Sequence, residues 1–298
     1  MRIAFAGTAP VAEIVLAGLV AANQRPVVVI TNPDRPKGRH GTPTPPPIKL
    51  RAEGLGVPVL QPQRISDDET LVELRERRVE VLVVCAYGQI LRQNVLDAVT
   101  TIVVHPSLVP RWRGAAPVER ALMAGETDLG VTILKMTAGV DEGPVGALRR
   151  VEVPPDADAG RAYELIAPAA VDALLETLAA LADGSIVWRP QSGEVTYADK
   201  ILPTDRVIDW SWPAHTIVNH VRALSPHIGA VTNLLGRRTV IWRAAVGEGP
   251  QPAPSATHLA LPAGDGWIEV LELQQEGRTR VAATEFLRGA GRALAGPH

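Results

Sequence analysis

The sequence predicts an α/β fold with a parallel sheet, followed by a small domain that is rich in β-structure. The first observation is the order of patterns at the start of the chain: a buried strand at residues 2–6, a helix at 12–22 and a second buried strand at 26–31. This order is typical of a parallel α/β sheet. The second observation is a change after Tyr197, where short β-like runs separated by glycine and proline replace most of the long helical patterns.

The remaining patterns continue this organisation. Residues 32–47 contain six prolines, so they cannot form a helix or a central strand, and we expect a long, stiffened loop there. The run at 81–84 is the most apolar strand pattern, which favours a central place in the sheet. The predicted strands are 57–60, 79–86, 102–104, 130–136, 230–235, 239–245 and 267–273, and the predicted helices are 48–53, 67–78, 118–124, 160–183 and 212–223.

These patterns divide the chain into a domain at residues 1–190, a linker at 191–204 and a β-rich domain, expected to be a partly open barrel, at 205–298. A length of 298 residues fits two domains, and 46% hydrophobic residues with a net charge of −2 exclude a disordered chain. We expect no apolar run long enough to span a membrane, and the early Gly7 argues against a signal peptide. Cys85 is the only cysteine, which excludes a disulfide framework and a cysteine-built zinc site and fits a reducing cytoplasm.

Several common catalytic motifs are absent from the sequence. The first strand is followed by Gly7 alone and not by G-x-G-x-x-G, which argues against a nicotinamide or flavin dehydrogenase. There is no phosphate-binding G-x-x-x-x-G-K-[ST], no H-E-x-x-H and no G-x-S-x-G. The histidines show no ligand-like spacing, so we expect no metal.

The candidate chemistry is concentrated between residues 87 and 144. Ligands of open parallel sheets bind beyond the carboxyl ends of the strands, and three polar features follow predicted strands there: residues 86–88, His105 and Asp141. A histidine that faces a carboxylate is suited to acid–base work. The alternative is structural, with His105 capping a loop and Asp141 making a turn before glycine.

These same segments resemble methionyl-tRNA formyltransferases, and the likeness runs in order over nearly the whole chain. It is carried by FAGT at 5–8, PDRPKGR at 33–39, AYG at 86–88, HPSLVPRWRGAAP at 105–117, DEG at 141–143, YADKI at 197–201, DRVIDW at 205–210, RALSP at 222–226 and GDG at 264–266. The resemblance implies a Rossmann-type formyltransferase domain with a parallel sheet, followed by a small, OB-like β-barrel domain. It also implies transfer of a formyl group from 10-formyltetrahydrofolate to the amino group of initiator methionyl-tRNA, for translation initiation.

Such a reaction needs a proton shuttle and a donor to the oxyanion that forms when the amine attacks the formyl carbon. The family's histidine and aspartate match His105 and Asp141, with Asp141 holding the imidazole and favouring its charged form. The family's third residue, an asparagine, corresponds here to Val103, which has no donor. Loss of one such donor typically lowers the rate by about 10²–10³.

The resemblance also assigns binding residues. Those expected at the folate pocket are Ala86, Tyr87, Gly88, Ser107, Leu108, Val109, Pro110, Gly139, Val140 and Gly143. Those expected to bind tRNA are Arg35, Lys37, Arg39, His40, Lys200, Arg237 and Arg238. Phosphate contacts from such side chains position RNA and weaken with salt, whereas a charge run without this resemblance is usually a solvated surface.

Two alternatives to this function remain open. Val103 motivates a catalytically weakened or non-catalytic homologue that binds tRNA or folate. A formyltransferase for a small amine, such as an amino-sugar, needs neither the basic proline-rich loop nor the second domain. We expect a cytoplasmic monomer with no membrane partner.

Overall fold

The fold is described from a computed structural model, which covers residues 1–37, 41–252 and 257–294. The helices are α1 (Pro10–Ala21), α2 (Pro47–Gly54), α3 (Asp68–Glu76), α4 (Gln93–Ala98), α5 (Pro117–Met123), α6 (Ala159–Asp183), α7 (Ala214–Leu224) and α8 (Ala283–Leu294), with a 3₁₀ turn at Thr204–Arg206. The strands are β1 (Ile3–Gly7), β2 (Val28–Ile30), β3 (Arg35–Lys37), β4 (Thr42–Thr44), β5 (Val59–Leu60), β6 (Val81–Cys85), β7 (Thr100–His105), β8 (Arg113–Gly114), β9 (Asp128–Lys135), β10 (Val145–Glu152), β11 (Tyr197–Ala198), β12 (Ala230–Leu234), β13 (Arg237–Val246), β14 (Leu259–Ala263), β15 (Gly266–Gln275) and β16 (Val281–Ala282).

The chain divides into two compact units. The first contains Met1–Gly114, Asp128–Glu152 and Tyr163–Tyr197, and the second contains Ala115–Thr127, Val153–Ala162 and the chain from Ala198 onward. The second unit therefore includes two segments that precede the linker predicted from the sequence. The predicted boundaries at 190 and 205 were placed where the helical and β-like patterns of the sequence change, and not by packing. They stay a prediction.

The first unit is built on a seven-stranded sheet in the order β10-β9-β7-β6-β1-β2-β5. The five strands from β7 to β5 are parallel, and β6 pairs with both β1 and β7, so the most apolar strand is central as predicted. The predicted fold class is confirmed, with one correction at the edge of the sheet. Strand β9 runs antiparallel to both of its neighbours, β7 and β10. Strand β10, whose sequence carries Arg149 and Arg150, was not predicted.

The proline-rich segment contains a small hairpin that the loop prediction did not include. Strands β3 and β4 pair antiparallel, with Pro36 opposite Pro43, outside the main sheet. Proline cannot donate to a strand ladder, so three-residue strands are as much as this sequence sustains. Helix α4, strand β14 and helix α8 were also missed.

The second unit holds a curled antiparallel sheet, a half-barrel, in the order β12-β13-β15-β14, with β16 paired to β15. Helix α7 covers its apolar face: Ile217 and Val221 pack in one cluster with Ile241 and Ile268. The predicted small β-domain after the α/β domain is therefore confirmed.

Helix α6 is long and apolar enough, by length and composition alone, to cross a membrane, and the expectation that no apolar run reaches that length is wrong by this measure. The helix nevertheless has one buried apolar face and one exposed polar face. Ile166, Ala170 and Leu174 are buried, whereas Asp172 and Glu176 are exposed. Buried helices of globular proteins meet the same criteria.

Two helical glycines provide a test of packing between α1 and α6. A Cβ on Gly18 would lie 2.4 Å from Cγ2 of Val171, whereas a Cβ on Gly54, the last residue of α2, would meet nothing within 4 Å. We expect Gly18→Ala to lower the free energy of unfolding by about 1–3 kcal/mol, because overpacking outweighs the gain in helix propensity. Gly54→Ala should raise it by up to about 1 kcal/mol. Urea unfolding of both variants checks the opposite signs, and equal shifts would contradict the close packing.

Candidate active site

His105 lies at the carboxyl end of β7, and its side chain is buried with an acceptor facing each ring nitrogen. Nε2 lies 2.9 Å from the carbonyl oxygen of Trp112, and Nδ1 lies 3.5 Å from Oδ2 of Asp141. Because a carbonyl oxygen only accepts, Nε2 donates to it and keeps its proton. Nδ1 is the nitrogen that can take up or release a proton beside the carboxylate.

Asp141 reaches His105 by a route that a parallel sheet does not provide. Thr132 of β9 pairs with His105, and β9 then continues to Lys135, which pairs with Ile102. The connection at residues 136–144 must turn back along β7 by about three residues, roughly 10 Å. The structure brings the two predicted side chains together, although the reason offered for it, a parallel strand before Asp141, is wrong.

The carboxylate of Asp141 is held from a second side. The backbone N–H of Gly114 donates to Oδ2 at 2.8 Å, while Oδ1 accepts no hydrogen bond from the residues that the structure describes. The side chain of Asp141 is 16% exposed. Oδ2 is therefore committed to the protein, and Oδ1 is available to a water or a substrate amine.

Val103 lies two residues before His105 on the same face of β7. A small cavity beside it is also lined by Thr137, Gly139, Asp141 and Gly143. The position predicted for an oxyanion donor therefore borders the same cavity as Asp141, but its side chain contributes only methyl groups. Gly139, Val140 and Gly143, predicted for folate binding, all lie in the connection that covers this face.

Residues 107–110, predicted to bind folate, differ in how far they are buried. Ser107 and Val109 are buried. The hydroxyl of Ser107 donates to the carbonyl of Arg111, and its carbonyl accepts from the hydroxyl of Thr132. These contacts shape the loop between His105 and Trp112, so Ser107 has a structural task in addition to its predicted role. Leu108 is half-buried and Pro110 is buried.

The predicted folate loop 86–88 follows β6 and has left-handed backbone at Ala86 (φ 47°) and Gly88 (φ 78°), both exposed. Tyr87 is 2% exposed and packs in the apolar core, so neither its ring nor its backbone is open to solvent. Its carbonyl accepts from the Thr8 hydroxyl at 3.0 Å and from the Asn32 amide at 3.2 Å. Sequence reasoning missed Asn32, although it directly follows a buried strand.

Cys85 ends β6 in this region and is buried. Burial raises the pKa of its thiol to about 12. A neutral thiol in this setting is a small apolar filler.

Gln191 and Arg113 also support the site and were not predicted. The side-chain amide of Gln191 donates to the carbonyls of Asp141 and Gly143, each at 2.8 Å. Its side-chain oxygen accepts from the guanidinium of Arg113. Gln191 was assigned to the linker, and no motif marks it, because its contact depends on tertiary structure.

The residues predicted to bind tRNA lie in both units. Arg35 is exposed at the start of the β3–β4 hairpin, and Lys37 ends β3. Arg39 and His40 lie outside the residues that the structure describes. The β3–β4 hairpin is therefore a basic segment of the first unit that lies outside the main sheet.

In the second unit, Arg237 and Arg238 are exposed at the turn between β12 and β13. Arg206 lies near Arg238, and burial together with that charge lowers the pKa of Arg206. Lys200 is exposed, and its backbone carbonyl accepts from Arg120, which also pairs with Asp205 at 2.6 Å. The structure therefore places a cluster of arginines at one turn and fixes the segment that carries Lys200.

Among residues 1–37, 41–252 and 257–294, no group of three or more His, Cys, Asp or Glu side chains could hold a metal ion. That no metal takes part stays a prediction.

A Rossmann-type domain in which a buried histidine lies beside a carboxylate, followed by an antiparallel half-barrel, is suited to group-transfer chemistry that needs proton handling. The family model described as "Formyl transferase" matches residues 1–178, and the model described as "Formyl transferase, C-terminal domain" matches residues 200–291. The chain belongs to the formyl transferase family.

Individual relatives agree with this assignment. A methionyl-tRNA formyltransferase of Symbiobacterium thermophilum is 41% identical over 98% of this chain and 93% of its own. A solved methionyl-tRNA formyltransferase from Clostridium thermocellum matches 84% of this chain and 95% of its own with a TM-score of 0.60 at 15% identity. HypX from Aquifex aeolicus, in complex with tetrahydrofolic acid, matches 99% of this chain with a TM-score of 0.71 at 19% identity. This chain spans about half (48%) of HypX, and at these identities both structures show the shared fold alone.

The buried hydroxyl of Tyr87 provides a pH test of the loop's anchoring. The hydroxyl has no hydrogen-bond partner among the described residues, and burial raises its pKa above the usual value of about 10. The unfolded chain therefore loses this proton first, so the stability contributed by the neutral phenol is full below about pH 10 and is lost as the pH rises further. We expect Tyr87→Phe to leave stability at pH 7 unchanged or higher. Its unfolding free energy should fall less than that of the parent between pH 9 and 11, and equal slopes would contradict the burial.

Proposed function

We propose that this chain transfers the formyl group of 10-formyltetrahydrofolate to the amino group of initiator methionyl-tRNA. The observation that carries the proposal is the buried His105–Asp141 pair in a chain that matches the formyl transferase models of both domains. The relatives named methionyl-tRNA formyltransferase align over nearly the full length of this chain, the β-rich second domain included. We infer a cytoplasmic location from charged tRNA as the proposed substrate.

His105 and Asp141 have different roles in moving the proton that the amine releases. The attacking amine must be neutral, and it releases a proton as the new C–N bond forms. Oδ1 of Asp141, which accepts no hydrogen bond from the described residues, is placed to accept from the amine or from a water. His105 Nδ1 lies beside Oδ2 of the same carboxylate, so a proton can pass between the two groups. The hydrogen bond from Nε2 to the Trp112 carbonyl fixes the ring's orientation.

The folate would be held by the loop at residues 86–90 and by the connection at residues 136–144, which lines the cavity. Exposed Ala86 and Gly88, in left-handed backbone, leave room for close approach to the main chain, and exposed Val140 and Ile90 offer apolar surface to a ring system. The bound folate supplies an activated formyl group and a nitrogen leaving group. These features fit such a ligand.

The basic residues support the choice of a polyanionic acceptor. Arg35 and Lys37 in the first unit, and Lys200, Arg237 and Arg238 in the second, provide sites for phosphate. An uncharged small amine, such as a free amino-sugar, has no phosphate for them to bind. Arg39 and His40 are included in this proposal on the resemblance alone.

Because Val103 has no hydrogen-bond donor for the oxyanion, the rate of formyl transfer is the measurement that best tests the proposed function. We expect formyl transfer from 10-formyltetrahydrofolate to charged initiator methionyl-tRNA by the native chain. Val103→Asn should raise kcat by up to about 10²–10³, because an amide donor then faces the cavity where negative charge develops on the formyl oxygen. His105→Ala should abolish transfer in both backgrounds. The assay is a single-turnover measurement with saturating folate.

Two other results would change the assignment. If neither the native chain nor Val103→Asn transfers formyl while tRNA still binds, the chain is a non-catalytic binding homologue. If uncharged amino-sugars compete for activity and tRNA does not bind, the acceptor is a small amine.

The role of the arginine turn is tested by salt dependence. If Arg237 and Arg238 contact phosphates, the double variant to alanine should bind tRNA more weakly and should reduce the slope of log K against log salt by about 1 to 2. Arg75→Ala, at an exposed arginine of α3, a helix that carries none of the residues predicted to bind tRNA, is the control and should change neither quantity. Filter binding between about 50 and 200 mM salt measures the slope. An unchanged slope would remove this turn from the proposed tRNA surface.

A further inference from the structure

The side chain of Gln191 connects the segment that carries Asp141 with the segment that follows His105. Its Nε2 donates to the carbonyl oxygens of Asp141 and Gly143, both at 2.8 Å. Its Oε1 accepts from Arg113 Nε at 3.1 Å and from Nη2 at 2.7 Å. Arg113 directly precedes Gly114, whose N–H holds the carboxylate of Asp141.

The chemistry of the partners fixes the orientation of this amide. The NH₂ group has two hydrogens and faces two carbonyls, and the oxygen has two lone pairs and faces two guanidinium N–H groups. The flipped orientation would place oxygen against carbonyl oxygens and NH₂ against N–H groups, so all four hydrogen bonds would be lost. The network therefore has a single arrangement in which every position of the Gln191 amide is used.

The connection that carries Asp141 needs such a restraint. Asp141 has φ 49°, a left-handed conformation that non-glycine residues adopt only at a free-energy cost of about 1 kcal/mol or more. A Cβ on Gly143 would lie 1.8 Å from the backbone oxygen of Lys135, so the connection returns closely against the end of β9. The carbonyl groups bound by Gln191 belong to these two residues.

The backbone places Gln191 independently of the connection that it holds. Arg189 pairs with Val145 in an antiparallel bridge, with hydrogen bonds of 2.7 and 2.9 Å in the two directions. Pro190 then fixes the next φ angle, and Gln191 follows. The side chain is thus presented next to Gly143 by a segment tied to the start of β10.

We propose that Gln191 is a positioning residue for formyl transfer, which acts by holding the backbone of Asp141 so that its carboxylate meets His105. The inference rests on the proposed function for its kinetic consequence. It does not require Gln191 to contact either substrate.

Kinetics of two variants test the proposal. Gln191→Ala should lower kcat by about 10- to 100-fold, the size expected when a catalytic group is displaced by about 1 Å, with little change in the KM of either substrate. Gln191→Glu keeps an acceptor for Arg113 but loses the NH₂ donor, so it should be impaired to a similar extent. Full activity in Gln191→Glu would mean that Gln191 serves only to anchor Arg113 and would overturn the proposal. Gln93→Ala, at an exposed glutamine that bonds within α4, is the matched control with unchanged kcat.

A double-mutant cycle separates positioning from general stability. If Gln191 acts through Asp141, Gln191→Ala should change the residual rate of Asp141→Asn by less than about twofold. A full additional loss in that background would show an effect elsewhere in the protein and would contradict the proposal.

Amide hydrogen exchange gives a readout that does not need turnover. The Gly114 N–H donates to Asp141, so Gln191→Ala should speed its exchange, while exchange in the central strand β6 stays slow. Unchanged exchange at Gly114 would overturn the proposal even in an active enzyme. If the native chain transfers no formyl, the proposed function fails, and the exchange result still decides whether Gln191 holds Asp141.

Discussion

The pairing of a buried imidazole with a carboxylate depends on one reversal of the backbone, the connection at residues 136–144. A carboxylate with little exposure is costly unless it is hydrogen-bonded and paired. Asp141 meets this condition with the Gly114 N–H on one side and the His105 ring on the other. His105 ends β7 and Gly114 lies in the chain that follows it, whereas Asp141 comes from the hairpin of β9 and β10. The antiparallel edge of the sheet is therefore a requirement of the site and not an accessory to the parallel core.

Val103 marks where the polar site ends and the apolar core begins. By register it lies between Val84 and Leu134, and it packs against the cluster that contains Tyr87. A valine suits this strand, because a β-branched side chain favours a pleated and partly buried surface. An asparagine at the same position would bring a polar amide to the edge of an apolar cluster and would need a partner there. The folded state thus favours valine, while the charge that develops in the proposed reaction would favour an amide.

Much of the fold could be predicted from local patterns, because buried parallel strands such as β1 and β6 are nearly continuous apolar runs. Strand β10 escaped prediction because its exposed edge carries charged residues that break such a pattern. The pairing of His105 with Asp141 was anticipated from strand ends, but the direction of β9 was not, since apolar periodicity does not encode strand direction. Asn32, Arg113 and Gln191 act through tertiary hydrogen bonds to backbone carbonyls or to one another, and a single sequence gives no signal for these.

The left-handed residues around the site show how its geometry is maintained. Ala86, Trp112 and Asp141 are non-glycine residues with φ between 47° and 60°, and each lies on a different loop at the candidate site. Local preference disfavours all three, so the surroundings must hold them. The Ala86 carbonyl accepts from two backbone N–H groups of residues 8 and 9. The Trp112 N–H donates to the Thr196 hydroxyl at 2.9 Å, and the Trp112 carbonyl faces His105.

The Asp141 carbonyl accepts from a side chain of a remote segment, Gln191, just as the Trp112 N–H donates to the side chain of Thr196. The partners of Ala86 are backbone groups, which no side-chain substitution removes, whereas these partners of Trp112 and Asp141 can each be removed by one substitution. At Asp141 this partner is one carboxamide, which binds the carbonyls of residues 141 and 143. None of these hydrogen bonds involves the parallel core of the sheet, so a substitution at residue 191 can shift the carboxylate while that core stays folded.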